Sequence, residues 1–140
     1  MRKLHMLALL LMLISFPAWS ADAAAVTSTT LLTSSNSWDN TPLPAYPAGQ
    51  PKITIARVQI APGANIPAHL HHNTIAAGVL LQGQLKVVTD SGATIELVAG
   101  DAVIETIDTW HSGQNTGRVP TELIVFYAGI EGQAVSESKP

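Results

Sequence analysis

Three histidines have the residue type and the spacing of a metal site. His69 and His71 lie two positions apart in one short segment, and His111 follows 40 positions after His71. In an extended strand, residues i and i+2 point to the same face, so the first two imidazoles lie side by side. A fold that brings His111 opposite this pair creates three nitrogen ligands for a divalent transition metal. The sequence therefore predicts a metal centre built from two separate segments.

The elements that must hold these histidines are short β-strands. Six runs rich in β-branched and other apolar residues follow one another: Ile53–Ile60, Ile75–Leu81, Leu85–Thr89, Thr94–Val98, Ala102–Ile107 and Leu123–Tyr127. Glycine-bearing turn signals separate most of them, and no helical period is visible after the first 23 residues. Many short strands with closely spaced turns favour a β-sandwich or barrel. We therefore expect one all-β domain over residues 52–130.

Two segments of different composition flank this domain. Residues 24–51 are rich in Ser, Thr and Pro, and their prolines exclude a continuous helix or a central strand. Apolar residues such as Trp38 could anchor this N-terminal arm across a barrel or a partner subunit. Residues 131–140 form a polar C-terminal tail, which we expect to fray.

The first 23 residues have the pattern of a signal peptide. Arg2 and Lys3 precede an apolar run over residues 4–14, and small residues allow cleavage after Ser20 or after Ala23. The run is shorter than the stretch of about 20 residues that a spanning helix needs. We therefore expect a periplasmic or secreted protein without stable membrane association after cleavage. Loss of residues 1–20 leaves five basic against ten acidic residues, which argues against nucleic-acid binding.

Glycines around the histidines complete two recognisable motifs. Five residues separate Gly63 from His69, and this first segment closes at Gly83. In the second segment Gly100 precedes His111 by eleven positions. These segments resemble the two motifs of the cupin family, and the resemblance extends over residues 52–129. It implies a single jelly-roll β-barrel in which the motifs face each other and the three histidines converge inside. It also implies homodimerisation, because small cupins often pair through sheet edges and an N-terminal arm.

Ala76 is the main departure from the cupin pattern. The first motif of cupins normally has a glutamate seven residues before its last glycine, and Ala76 stands at that position. The resemblance then implies a centre of three neutral histidines, similar to the iron sites of thiol and diketone dioxygenases in the cupin superfamily. Such a centre leaves more positions open to water, O₂ or a chelating substrate. Thr106 and Asp108 replace the usual proline and glycine of the second motif, which could alter the bend before His111.

Glu105 is the candidate to replace the missing carboxylate. It stands in the otherwise apolar run Ala102–Ile107, where an unpaired buried charge would be costly. Three interpretations stay open: a direct metal ligand, an acceptor that orients a histidine, and a solvated outward residue. Alternation along a strand puts Glu105 on the face of Val103 but does not say which face is inward. By the same alternation His72 points away from His71, and we expect it to be exposed or hydrogen-bonded.

These residues predict an exported cupin that binds one divalent transition metal (Fe, Mn, Ni, Cu or Zn) through His69, His71 and His111. The first hypothesis is a metal-dependent oxidoreductase with dioxygenase-type chemistry on a small oxygen-containing substrate. In that enzyme Glu105 is the catalytic candidate, which tunes the centre or relays a proton. The second hypothesis is a periplasmic cupin that binds a small ligand or a metal without turnover. The third is a barrel whose histidines no longer hold a metal, and fold alone does not choose among the three.

Overall fold

The computed structural model describes residues 26–140 as two antiparallel β-sheets. The strands are β1 (Pro51–Ile60), β2 (Asn65–Leu70), β3 (Ile75–Gln82), β4 (Gln84–Thr89), β5 (Thr94–Val98), β6 (Ala102–Ile104), β7 (His111–Gln114), β8 (Thr121–Ile130) and β9 (Glu137–Ser138). One sheet has the strand order β1-β8-β3-β6, and the other has the order β5-β4-β7-β2-β9. No helix occurs within residues 26–140, so the all-β prediction is confirmed.

The hydrophobic core lies between the two sheets. Along β3 the inward residues Ala76 and Leu80 are buried, and their neighbours in sequence are more exposed. These side chains and Val125 of the four-stranded sheet pack in one cluster with Leu85 and Leu97 of the five-stranded sheet. Burying a side chain of this size stabilises the fold by about 1.5–3 kcal/mol. The core therefore joins the two sheets that carry opposite walls of the candidate site.

Gly83 makes the tight connection between β3 and β4. Its φ is +81°, a conformation that residues with a side chain rarely adopt. A Cβ at this position would lie 2.8 Å from the carbonyl oxygen of Pro120. The glycine that closes the first motif is therefore required by space as well as by backbone conformation.

All six predicted runs form strands, but Ala102–Ile107 leaves the sheet after Ile104. The last three residues of that prediction are wrong because the chain turns there toward β7. Asp108 adopts a φ of 51°, the left-handed conformation that glycine usually supplies. Thr106 Oγ donates a hydrogen bond of 3.3 Å to the carbonyl oxygen of Thr109 within the same loop. The two departures from the second cupin motif thus lie in the bend that precedes His111.

The N-terminal arm is anchored on the edge of the four-stranded sheet. The backbone N–H of Trp38 donates to the carbonyl oxygen of Ile104 in β6 at 3.0 Å. Its partly buried ring packs against the hydrophobic core. The predicted signal peptide, residues 1–23, lies outside the described residues. Within the part of the chain that the structure describes, no helix is long and apolar enough to cross a membrane.

The C-terminal tail adds a short strand instead of fraying. β9 pairs with β2, with Ser138 opposite His69 and Glu137 opposite Leu70. The backbone N–H of Lys139 also donates to the carbonyl oxygen of Ala68 at 2.9 Å. A sheet edge offers unpaired backbone donors and acceptors, and the tail satisfies part of this edge. The last residues therefore lie beside the segment that carries His69 and His71.

Candidate metal centre

The five-stranded sheet brings the three predicted histidines together. His69 of β2 and His111 of β7 are direct cross-strand partners, and their ring centroids lie 4.3 Å apart. His71 follows the end of β2, with its ring centroid 5.1 Å from that of His69 and 5.3 Å from that of His111. The side chains of His71 and His111 are buried, and that of His69 is 18% exposed. The two sequence segments thus meet in the interior as one cluster.

Each imidazole is oriented by a hydrogen bond from its Nδ1 atom to a backbone carbonyl. The acceptors are Pro67 for His69 at 2.9 Å, Val135 for His71 at 2.7 Å and Thr109 for His111 at 2.9 Å. Because a carbonyl oxygen can only accept, each ring carries a proton on Nδ1. A neutral ring then has its lone pair on Nε2. The surroundings therefore fix the tautomer that presents all three Nε2 atoms as ligands.

Glu105 reaches the histidines from the opposite sheet. Its Oε2 atom lies 3.0 Å from Nε2 of His71, 3.1 Å from Nε2 of His111 and 3.9 Å from Nε2 of His69. Its side chain is 18% exposed and faces the interior. The interpretation of Glu105 as a solvated outward residue is therefore wrong, and the two interpretations that join it to the centre remain.

Glu105 directly follows β6 and lies beside Ala76 of the neighbouring strand β3. The β3–β6 register pairs Ala77 with Ile104, and the N–H of Glu105 donates to the carbonyl oxygen of Ala76 at 2.8 Å. The pairing thus continues by one residue and sets positions 76 and 105 side by side. The glutamate that the first motif lacks at position 76 is replaced one strand away in the same sheet. Alternation along the sequence places Glu105 on the same face as Val103, and this pairing identifies that face as the inner one.

Hydrogen bonds and burial shift the pKa values within the cluster. Burial opposes ionisation of Glu105, but hydrogen bonds from His111 and His71 outweigh it and hold the pKa of the carboxyl well below its usual range. Burial also disfavours the charged form of His71, yet the bond to Glu105 raises the pKa of His71 above 6.5. For His69 burial prevails and lowers the pKa. The carboxylate is therefore ionised at neutral pH beside imidazoles of unequal basicity.

The donor set fits a divalent transition metal. Since each Nδ1 carries a proton, the short contacts between Nε2 and a carboxylate oxygen require either a second proton on the ring or a metal ion. Ligand atoms around one ion with bonds of about 2.1 Å lie about 3.0–3.4 Å apart, as the closest donors do here. The four candidate ligand atoms all lie within 4.8 Å of one another. Three imidazoles and one carboxylate suit the first-row transition metals better than Ca²⁺ or Mg²⁺.

Two neighbouring residues complete the surroundings of the centre. The side chain of Thr106 is fully buried, and its Oγ lies 2.9 Å from Nδ1 of His111. The departure from the family proline thus adds a polar contact that holds this ring. His72 points away from the cluster, with Nδ1 2.6 Å from Oδ1 of Asp108 and its side chain 51% exposed. The expectation for His72 is therefore confirmed.

A cavity of about 90 Å³ adjoins the cluster. His69, Glu105 and His111 form part of its wall, together with Trp38 of the arm and Tyr127 of β8. Burial and the charge of Glu105 raise the pKa of Tyr127 to about 12, so its hydroxyl stays protonated at neutral pH. Sequence reasoning did not single out Tyr127 as a site residue. Its alternation with the buried Val125 in β8 is the signal that could have found it.

Comparison with known proteins agrees with this architecture. A family model described as cupin domain matches residues 56–127, half of the chain. Oxalate decarboxylase from Lactobacillus farciminis, solved as a formate complex, is 27% identical with a TM-score of 0.54, over 61% of this chain and 26% of that one. A Klebsiella pneumoniae protein with a double-stranded β-helix domain is 21% identical with a TM-score of 0.55, over 71% and 86%.

The cupin domain of a Schizosaccharomyces pombe protein is also similar, with 21% identity and a TM-score of 0.52 over 55% of this chain and 56% of that one. This chain therefore corresponds to only part of the Lactobacillus farciminis and Schizosaccharomyces pombe proteins. No curated protein matches the chain. The family match, the two facing sheets and the convergence of both motifs lead to one conclusion: the chain belongs to the cupin family and has its jelly-roll fold.

Proposed function

We propose that this protein is an exported cupin that binds one divalent transition metal through His69, His71, His111 and Glu105. We further propose metal-dependent, dioxygenase-type chemistry on a small oxygen-containing substrate. The observation that carries this proposal is the convergence of three Nε2 atoms, each freed by an Nδ1 bond to a carbonyl, on one carboxylate oxygen beside a cavity. The oxalate decarboxylase that is 27% identical was solved with formate, a small monocarboxylate, and this supports a small oxygen-containing ligand.

A bound metal would act as a Lewis acid and hold substrate and O₂ close together. The side chains of the protein would hold and orient that ion. Glu105 would neutralise one charge of the ion and keep the rings of His71 and His111 directed at it. Its Oε2 atom lies 3.0 Å and 3.1 Å from the Nε2 atoms of His71 and His111, which are the separations of ligands that share one ion. We therefore assign Glu105 to holding the metal rather than to relaying a proton.

Export is proposed from the N-terminal sequence. Arg2, Lys3 and the apolar run that follows have the order of a signal peptide. A periplasmic or secreted barrel would meet its metal and its substrate outside the cytoplasm. Cell fractionation of the full chain tests this point, and a protein found only in the cytoplasm at full length would contradict it.

We also propose that two copies pair through the outer face of the four-stranded sheet. Ile55 and Phe126 are direct partners on that face and are 62% and 46% exposed. Ile53, two positions earlier in β1, is 62% exposed. Leu31 and Leu32 of the arm lie at the β6 side of the same sheet. A contiguous exposed apolar surface of this kind is typical of an interface.

Metal analysis of the untagged protein tests whether the protein binds a metal. We expect about one metal ion per chain, its loss in His111→Ala and its retention in the control His72→Ala, because His72 lies outside the cluster. A wild-type protein that holds no metal and gains no thermal stability from any of Fe, Mn, Ni, Cu or Zn would favour a barrel without a metal.

Measurements of oxygen uptake then distinguish a metal-dependent enzyme from a non-catalytic binding protein. The metal-loaded protein is mixed with catechols, diketones and thiols while O₂ consumption and product formation are followed. Turnover that depends on His111 supports the enzyme. Tight, saturable binding without O₂ uptake or product would instead support the alternative, a non-catalytic periplasmic cupin that binds a small ligand or a metal.

A further inference from the structure

The cavity beside the centre has a polar end and an apolar end. At the polar end lie His69, Glu105 and His111, with the neutral hydroxyl of Tyr127 beside them. The remaining wall consists mainly of aliphatic side chains: Val58, Ile66, Leu85, Val87, Leu97, Val103, Leu123 and Val125. Among the described residues that line the cavity, none is lysine or arginine. The protein therefore supplies no permanent cation to the far end of a bound molecule.

We propose that this site takes a neutral or monoanionic small molecule with one oxygen-bearing end and an apolar body, and that it rejects dicarboxylates. The inference rests on the proposed metal centre. Three neutral imidazoles and one carboxylate leave a divalent ion with one net positive charge, which matches one anionic oxygen group. A dicarboxylate that chelates the ion would leave a net negative charge among aliphatic side chains, and a second carboxylate directed away from the ion would lie unpaired there; burying either charge is costly.

Size limits the ligand as strictly as charge does. A cavity of about 90 Å³ is smaller than the engineered cavity of about 150 Å³ that is known to bind benzene. The part of the ligand that the cavity encloses is therefore short, of the order of a few carbon atoms. Its methyl or methylene groups would replace water against the aliphatic wall, which is the favourable part of binding.

Trp38 and Tyr127 add hydrogen-bond donors at the wall. Nε1 of Trp38 is buried and has no hydrogen-bond partner within residues 26–140. A buried N–H without an acceptor is uncommon and points to a missing partner. The backbone of Trp38 is bound to Ile104, the residue next to Glu105, and its side chain lines the same cavity as Glu105. A ligand oxygen at the polar end would offer acceptors to both residues.

A series of simple carboxylates tests the inference. Acetate, propionate, isobutyrate and malonate are titrated into protein loaded with the divalent ion that it retains, and binding is followed by calorimetry. Each added methylene should tighten binding about fourfold until the cavity is full. Malonate should bind more weakly than propionate, although it chelates free divalent ions better than a monocarboxylate does.

Matched variants test the two donors. Trp38→Phe and Tyr127→Phe should each weaken propionate binding about two- to tenfold without loss of metal. Trp110→Phe is the control, since Trp110 does not line the cavity, and it should leave binding unchanged. Equal weakening by Trp110→Phe, or no weakening by either cavity variant, would overturn the role of the donors.

The outcomes separate this inference from the proposed function. Metal-loaded protein that binds malonate more tightly than propionate overturns the ligand class and leaves the metal centre intact. Protein that takes up no metal overturns the proposed function, and this inference with it. Metal uptake, with propionate or isobutyrate bound more tightly than acetate and malonate bound more weakly than propionate, supports both.

Discussion

Removing the carboxylate of Glu105 should weaken metal binding, and returning it to position 76 should restore binding. Glu105→Ala takes away the donor that lies 3.0 Å and 3.1 Å from the Nε2 atoms of His71 and His111. Position 76 lies beside position 105 across the β3–β6 pairing, and it is the position at which cupins normally carry this glutamate. The double variant Ala76→Glu/Glu105→Ala therefore moves the carboxylate by one strand without changing the composition of the centre.

The expected magnitudes follow from these contacts. Loss of a group that only orients a metal ligand costs about 10- to 100-fold in affinity, or about 1.4–2.7 kcal/mol. Glu105 contacts two candidate ligands and is itself a candidate metal ligand. We therefore expect Glu105→Ala to lower metal affinity by about 100-fold or more. Ala76 is fully buried, so the larger side chain of Ala76→Glu alone should overfill its surroundings. We expect this to lower the free energy of unfolding by about 1–3 kcal/mol. In the double variant the space vacated at position 105 accepts the new side chain, and affinity should recover to within about tenfold.

Competition with a chromogenic chelator measures these affinities. Thermal unfolding of the metal-free forms verifies that each variant is folded. Glu96→Ala serves as the matched control, because Glu96 is an exposed residue of β5. Unchanged affinity in Glu105→Ala would refute the assignment of Glu105 to the centre. A folded double variant that binds no better than Glu105→Ala would refute the equivalence of positions 76 and 105.

Three further predictions concern the tail, the protonation of the centre and the apolar face. Removing residues 133–140 should lower metal affinity about 10- to 100-fold, because His71 loses the Val135 carbonyl that orients it; unchanged chelator competition would contradict this. In the metal-free protein, NMR titration should give His71 a pKa above 6.5 and His69 a pKa below it, with the rise at His71 lost in Glu105→Gln. Metal affinity should accordingly weaken as pH falls below the raised pKa of His71, since protons compete for Nε2. Ile55→Arg should turn the proposed dimer into a monomer in sedimentation experiments, and an unchanged mass would count against that interface.

The positions of the histidines were predictable because alternation along a strand is a local property. The spacing of His69 and His71 predicts a common face in an extended segment, and both side chains do join the cluster although β2 ends at Leu70. The first half of the run that leads to Glu105, Ala102–Ile104, was predictable as a strand for the same reason. Which face of that run is inward depends on its pairing with β3, and alternation within a strand contains no information about its partner. The interior position of Glu105 therefore became visible only with the pairing to Ala76.

The contribution of the tail could not be predicted from its own residues. Residues 131–140 lack an alternating apolar pattern, and β9 is only two residues long. Its extended conformation comes from the open edge of β2, which offers backbone groups to any segment that reaches it. The role of the Val135 carbonyl also leaves no signal in the sequence, because every residue has a backbone carbonyl. Tertiary context alone gives this carbonyl its role beside His71.

The bond between His71 and Val135 also has a consequence for the order in which the protein matures. The two residues are 64 positions apart, and contacts of such separation form only after much of the chain has become compact. Until the tail has joined β2, the ring of His71 has no carbonyl to fix its tautomer. An ion that meets a partly folded chain would find a loosely held pair of histidines and exchange readily. Only the fully folded barrel would then hold its metal tightly. Incompletely folded molecules would be recognised because they release their metal faster.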